Sequence, residues 1–393
     1  MIDAAQRHCL LAKEFTATFG GEPRIWSRAP GLVDLMGSHT DYNEGLVLTL
    51  PVDRDTWVAA RPADNDRVSI RSLNLREGDE FQASDPLAGP SPEWARYVVG
   101  VVHVLNQAGY RTRGFDAVIH GTLPPGGGLG SSASLECAVG ALINAIEGHG
   151  IPPLEMAKLC QRAENAVAGV SRGILDQYTA MFGEKDRALL IDCRSLTHES
   201  VAIPDGVTVV IADTNVPREL TGSGYGERRA HCEEGARLLG EIYPDVRTLR
   251  DVTVARFGEA EDSLPPLVRQ RTRFIVEENA RVPALARALK ENDLEAIGRI
   301  CAASFAGARD LFEISIRQME VMVAAMRSAP GIIGARQAGD GFGGCLVAFT
   351  DSARTEVFCR EVAEDYYKST GIEPAVYPVS AGPGAGILET AAG

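Results

Sequence analysis

The stretch Pro124-Pro-Gly-Gly-Gly-Leu-Gly-Ser-Ser-Ala133 constrains this chain more than any other. Gly126, Gly127, Gly128 and Gly130 remove Cβ atoms where backbone N–H groups must turn toward a bound anion, and Ser131 and Ser132 add hydroxyls at a helix start. Behind the loop, Leu135, Ala138, Val139, Leu142, Ile143 and Ile146 recur with the period of an amphipathic helix, so the loop is expected to rest on a buried helix. Phe115-Asp-Ala-Val-Ile-His120 reads as the strand before it. The segment from Pro125 through Leu129 to Ala133 therefore reads as a phosphate cradle. It is not a Walker A loop, because Ser131 follows Gly130 with no lysine between them.

A second glycine-rich stretch, Ala335 to Cys345, contains a literal GxGxxG at Gly339, Gly341 and Gly344. A dinucleotide site needs a helix after those glycines, and here Cys345-Leu-Val-Ala-Phe349 reads as a strand. A close backbone approach to the first loop is the expected use.

At 393 residues the chain is expected to hold two domains, since single cores stop growing near about 250–300 residues. Thirty-nine basic residues against 53 acidic ones give a net charge of -14 with no basic run, which argues against nucleic acid or an anionic membrane as a partner. The eight cysteines are scattered without a CxxC pair, so neither a zinc cluster nor a disulfide framework is signalled, and a reducing cytoplasm fits. No run approaches the roughly 18 apolar residues of a membrane span, and the N-terminus lacks the apolar core of a signal peptide.

Along the chain, the pattern predicts a helix over 1–20, a strand from Arg24 into a turn, and then a polar cluster, Leu32 to Gly45, that packs Asp34, His39, Asp41, Tyr42 and Asn43 into fourteen residues. Strands are expected at 46–52, 56–60, 68–72 and 188–192, and helices at 94–105 and 153–168, with Glu164 near the end of the latter. A loop carrying Arg172, Gly173 and Asp176 follows. The boundary between halves is expected around 195–204. Beyond it, Val207-Thr-Val-Val-Ile-Ala212 reads as a strand buried on both faces, and helices at 225–239, 264–279, 282–292, 294–304 and 314–325 outnumber the strands.

Three stretches together resemble the GHMP small-molecule kinases, and within them the galactokinases: Ala29 to Asn43, Pro125 to Ser134, and Gly334 to Cys345. Gly173 to Tyr178, Thr214 to Leu220, Tyr225 to Glu234 and the ending Ala375 to Leu388 follow the same family pattern, so the resemblance spans nearly the whole chain. It implies an α+β, two-domain GHMP kinase fold: an N-terminal ribosomal-protein-S5-like domain over 1–200, a C-terminal ferredoxin-like α/β domain over 201–393, and an active site in the cleft between them. It also implies phosphoryl transfer from MgATP to a sugar. The catalytic aspartate falls on Asp176, the Mg²⁺ ligands on Ser132 and Glu164, and the sugar contacts on His39, Asp41 and Tyr225. Carboxylate and hydroxyl oxygens suit a hard cation, and an aspartate within reach of the attacking hydroxyl suits proton transfer. The expected partner is a small-molecule sugar, for a monomer or weak homo-oligomer.

Two positions depart from the galactokinase pattern. Leu32 stands where the family has the arginine of Gly-Arg-Val-Asn, and Ser38 where it has the glutamate of Gly-Glu-His-Thr-Asp-Tyr. Losing an electrostatic donor beside a transferring phosphate typically costs roughly 10²–10³ in rate, and Arg172 is the candidate stand-in. The matching glutamate contacts the C6 hydroxyl, so Ser38 opens alternatives to galactose: L-arabinose, a deoxyhexose or galacturonate. A sugar and ATP sensor without catalysis is the alternative of a different class.

Overall fold

The computed structural model describes residues 3–124, 127–168, 173–216 and 224–389. Its twelve described strands are β1 (Ile25–Met36), β2 (Leu46–Pro62), β3 (Arg67–Ser72), β4 (Glu77–Gln82), β5 (Phe115–Gly121), β6 (Arg187–Asp192), β7 (Thr197–Ala202), β8 (Val207–Asp213), β9 (Ile332–Gln337), β10 (Cys345–Asp351), β11 (Ala375–Val379) and β12 (Gly386–Ile387). The described α-helices are α1 (Ala4–Phe19), α2 (Ala95–Gln107), α3 (Ser131–Glu147), α4 (Pro153–Ala163), α5 (Leu175–Phe182), α6 (Gly224–Ile242), α7 (Val254–Ala260), α8 (Pro266–Glu291), α9 (Leu294–Asp310), α10 (Arg317–Ser328) and α11 (Thr355–Thr370).

Strands β12, β1, β2, β5, β3 and β4 lie side by side in one sheet, with β6 paired to β2 and β7 to β6. The second sheet runs β11, β8, β10, β9 and is antiparallel throughout. Helices α2, α3 and α4 cover one face of the first sheet, where Val98, Val102, Leu142, Met156 and Phe115 share a core. A second core joins the two sheets: Val33, Leu35, Leu48 and Leu50 meet Val209 and Ile211 of β8 and Val282, Leu285 and Leu289 of α8. The alternate residues of β8, Val210 and Ala212, face a separate core with α10 and α11. This two-faced burial is what the unbroken apolar run of β8 predicts, here in an antiparallel sheet.

The residues 46–52 and 56–60, expected as two strands, form one bent β2, because pairing with β1, β5 and β6 continues through the polar Asp53-Arg-Asp55. Likewise 264–279 and 282–292 are one helix, α8, in which the buried Val282, Leu285 and Leu289 carry the chain through Pro283. Strands β4 and β7 carry few apolar residues, so the pattern does not mark them; β4 is fixed by pairing with β3 and β7 by pairing with β6. The pattern also leaves α7 and α11 unmarked. The first sheet thus extends to Ala202, two residues past the expected domain limit, and β12 returns from the far end of the chain to pair with Ser27 and Arg28.

The segment between β1 and β2 is held from α8. Glu278 accepts from the Gly37 N–H and Asn279 from the Leu46 N–H, at 3.3 and 2.8 Å. Thr40 Oγ1 lies 2.7 and 2.6 Å from the carbonyls of Gly37 and Leu46 and closes the loop on itself. Beneath it, the fully buried Arg336 of β9 donates to Ser38 Oγ at 2.6 Å, to Glu278 at 3.2 Å and to Ser304 Oγ at 3.0 Å. Removing one partner of such a buried pair strands the other charge, so Arg336→Leu is expected to lower unfolding free energy by about 3–5 kcal/mol, against at most about 1 for Arg194→Leu at the surface, compared by urea midpoints.

Candidate active site

The glycine loop ends in a left-handed Gly130 (φ 65°), which serves as the N-cap of α3 without a side-chain cap. The first N–H groups of α3 therefore face outward without an intrahelical partner, at the positive end of a helix whose other face is buried. The loop is fixed from β1 by the Leu32 N–H, which donates to the Leu129 carbonyl at 3.0 Å. A Cβ at Gly127 would meet Asp213 Oδ2 at 2.8 Å and lie 3.6 Å from Cys345 Sγ, so the second glycine stretch does come against the first. As the sequence predicts, that stretch runs from strand β9 into strand β10, not into a helix. Pro125, Gly126 and Arg172 lie outside the described residues.

Ser132 Oγ donates to Glu164 Oε1 at 2.8 Å. Glu164 opens one π-helical turn after α4 and is 3% exposed. Its second oxygen accepts from Gln177 Nε2 at 2.8 Å, and the same amide reaches the buried Glu136 at 3.0 Å. Burial, with Glu164 next to it, pushes the Glu136 carboxyl well above the ordinary range. The donor set at Ser132 and Glu164 consists of hard oxygens beside an anion-binding helix end, which fits Mg²⁺ bound through one carboxylate, a hydroxyl and nucleotide phosphates. Among the described residues, no group of three or more histidines, cysteines and carboxylates forms a metal cage of its own.

Asp176 lies in the first turn of α5 rather than in a loop. Its Oδ2 is 3.7 Å from where a Gly130 Cβ would be, and the Leu32 side chain would collide with that same Cβ. A glycine at 130 is thus required both by its φ and by the space left between Leu32 and Asp176. Leu32 places apolar carbon against the phosphate loop.

Leu32, Asp34, Ser38, His39, Asp41, Gly128, Gly130, Asp176, Tyr225 and Asp340 line one cleft with Gly37, Gly173, Leu175 and Gly339. Two register shifts in the β1–β2 pairing bracket the Leu32–Asp34 stretch, and alternation sends Val33 and Leu35 into the core while Leu32 and Asp34 face the cleft. Gly173 must lack a side chain because Asp41 Oδ2 occupies the place of its Cβ. His39 adopts φ 65° and is 2% exposed. Its Nε2 meets the Asp340 carbonyl at 3.1 Å and its Nδ1 meets the Tyr42 hydroxyl at 3.1 Å. A carbonyl only accepts, so Nε2 carries the proton; burial lowers the imidazole below its ordinary range, leaving Nδ1 to accept from Tyr42. Both ring nitrogens are engaged within the protein, and the Tyr225 ring lies 5.5 Å from the imidazole.

Burial, with Asp340 and then Asp176 and Asp34 nearby, pushes the Asp41 carboxyl up to about 7, against a Tyr42 backbone N–H that favours its charged form. Burial also raises Asp34, opposed by Arg336, the Ser38 hydroxyl and the Gly339 N–H. The sequence pattern brings Ser38, His39, Asp41, Gly128, Gly130, Asp176 and Tyr225 forward, and all seven meet at this cleft. It does not single out Asp340 or Arg336; the signal for Asp340 was an acid placed between two glycines of the second loop.

An anion-binding helix end, an oxygen-ligand pair and an aspartate beside them, opening on a cleft lined by polar groups, are arranged for moving a phosphoryl group onto a hydroxyl. Residues 13–62 match the galactokinase galactose-binding signature, 96–184 the GHMP kinases N terminal domain and 285–368 the GHMP kinases C terminal domain. Over 376 residues, 96% of each protein, the chain is 38% identical to a galactokinase of Roseiflexus sp. (strain RS-1). It belongs to the galactokinase family of GHMP kinases. The structure of a Lactococcus lactis galactokinase complexed with galactose superposes with a TM-score of 0.90 at 32% identity, covering 96% of this chain and 98% of that one. A Methanococcus jannaschii mevalonate kinase shares the fold alone, at 15% identity and a TM-score of 0.62 over 92% and 99% of the two chains. This galactokinase-family chain is accordingly an ATP-using phosphotransferase with an alcohol group as acceptor, on the two-domain α+β GHMP fold. No helix among the described residues is long and apolar enough to cross a membrane.

The galactokinase cleft holds a protonated Asp41 up to pH about 7, whereas the unfolded chain releases that proton near 3.8. The folded state binds more protons across that window, so its stability falls as pH rises through it. Asp41→Asn lacks this dependence: relative to wild type it is expected to gain stability from pH 4 to 7 and level off above, measured as urea midpoints of the ligand-free proteins.

Proposed function

We propose that this enzyme transfers the γ-phosphoryl group of ATP to the anomeric hydroxyl of galactose. The observation that carries the reading is the meeting, in one cleft, of the open N-terminus of α3, Asp176 and the polar loop Ser38–Asp41. In this reading the phosphates lie on the segment Pro125–Ala133, with Ser131 beside Ser132 and the α3 dipole offsetting their charge. Ser132 and Glu164 are assigned as the Mg²⁺ ligands, held by Gln177; the ion, when bound, neutralises charge on the ATP phosphates. Asp176 accepts or orients the proton of the attacking hydroxyl. Asp41 and Tyr225 hydrogen-bond the sugar, Ser38 shapes its pocket, and His39 holds Tyr42 and the Asp340 loop around it. Sugar hydroxyls need such fixed partners because they lose water on binding.

Among the described residues the lining offers Asp34, Asp41, Asp176 and Asp340 and no cation, which weighs against galacturonate, whose own acid finds no described partner there. The division into a nucleotide- and sugar-binding domain over 1–200 and a C-terminal domain over 201–393 belongs to the same proposal. It is supported by β8 opening a separate sheet at Val207. Eight free cysteines fit a cytoplasmic location, and action as a monomer or weak homo-oligomer on a small sugar, without nucleic acid, completes the proposal.

With MgATP and galactose, the purified enzyme is expected to release ADP and to place the phosphate on the anomeric oxygen by NMR. Asp176→Asn is expected to lower kcat by roughly 10²–10⁴ while ATP still binds; retained turnover removes Asp176 from the chemistry. The family arginine is missing at Leu32, and Arg172, four residues before Asp176, is assigned its electrostatic role. Arg172→Ala is accordingly expected to cost roughly 10²–10³ in kcat, and wild-type turnover by that variant ends the assignment.

A further inference from the structure

Asp34 lies near the end of β1, just before a register shift in its pairing with β2; it is 7% exposed and lines the cleft. Its Oδ2 accepts from Ser38 Oγ at 2.8 Å, and the same hydroxyl accepts from Arg336 Nη2 at 2.6 Å. Arg336 Nη1 lies 3.2 Å from the Asp34 carbonyl and 3.8 Å from Oδ2. These contacts fix one carboxylate oxygen and leave the other. The Gly339 N–H also faces the Asp34 carboxyl, yet Asp34 Oδ1 is buried and accepts no hydrogen bond of normal geometry among the described residues.

Buried polar atoms are nearly always paired, and leaving a charged one unpaired costs more than the 1–3 kcal/mol typical of a neutral group. A buried carboxylate oxygen without a partner of normal geometry, on a residue that lines the cleft, is a place for a ligand donor. The other acidic groups of the lining among the described residues are Asp41, Asp176 and Asp340, and Arg172, assigned above to the transferring phosphate, lies outside those residues, so the described wall offers acceptors to hydroxyls and no cation to an acid.

We propose that Asp34, positioned by Ser38 and Arg336, is a specificity-determining residue whose Oδ1 accepts a hydrogen bond from one non-anomeric hydroxyl of the sugar. The site then takes neutral hexoses that carry this hydroxyl and rejects both the corresponding deoxy sugar and the uronic acid. The inference rests on the reading of the cleft as a sugar 1-kinase site.

The test measures kcat and KM for wild type and Asp34→Ala with galactose, the 2-, 3-, 4- and 6-deoxygalactoses and galacturonate. A charge-assisted hydrogen bond sets the scale: Asp34→Ala is expected to raise the galactose KM by about 10–100-fold, with kcat and the KM for ATP within about 3-fold. For one deoxy sugar the wild type already shows this loss and Asp34→Ala adds nothing further, while galacturonate is turned over by wild type at least about 100-fold less efficiently than galactose. Asp34→Asn keeps the side-chain volume and is expected to give the same pattern with a smaller loss, which serves if the alanine variant does not fold. No loss with galactose, an equal loss on every deoxy sugar, or efficient turnover of galacturonate overturns the proposal. Should wild type phosphorylate none of these sugars, the reading of the enzyme fails separately, and calorimetric binding of the same series to wild type and variant still decides the role of Asp34.

Discussion

The cleft depends on one buried cation. Arg336 lies on β9 of the second sheet, yet its guanidinium ends under the Asp34–Ser38 segment of the first, with Glu278 of α8 and Ser304 of α9 completing its surroundings. Glu278 also accepts from the Gly37 N–H and from Arg281, so one carboxylate serves helix, strand and loop together. Charges removed from water so completely persist only where geometry and hydrogen bonds compensate the lost hydration. That requirement ties the loop bearing Ser38, His39 and Asp41 to the second sheet, although more than 290 residues separate Ser38 from Arg336 in the chain.

The opposite wall is built around one helix end, with the carboxyl groups of Asp176 and Glu164 beside it. The glycine loop presents backbone N–H groups at the start of α3, Gly130 is squeezed between Leu32 and Asp176, and the oxygen pair Ser132–Glu164 is steadied by Gln177. The residue after Asp176, the aspartate assigned to the chemistry, thus holds the carboxylate assigned to the metal. A change in the tilt of α5 would move both, which couples their positions through one short helix.

The glycine loop, the amphipathic α3 behind it, the two-faced β8 and the strand after the second glycine stretch were all legible in the sequence, because each has a local physical signature. Asp176 was legible as a functional acid but not as a helical one: Ile174 and Leu175 before it carry no cap signal, and α5 forms because Tyr178 and Ala180 are buried. Strand β7 was not legible, since its residues are mostly polar and it is set by backbone pairing with β6 and by the single buried Val201.

From its residues alone the chain determined the glycine loop with its helix, the mixed α+β character and, by resemblance, the kinase chemistry, because a glycine run and a helix start are written in adjacent residues. The wall assigned to the sugar was decided only by tertiary structure. Asp34, Ser38, Asp340 and Arg336 come from strands and loops of two sheets, and burial among such neighbours is what raises the Asp34 carboxyl. Local sequence carries no measure of that burial, which exists only once the sheets have closed on one another.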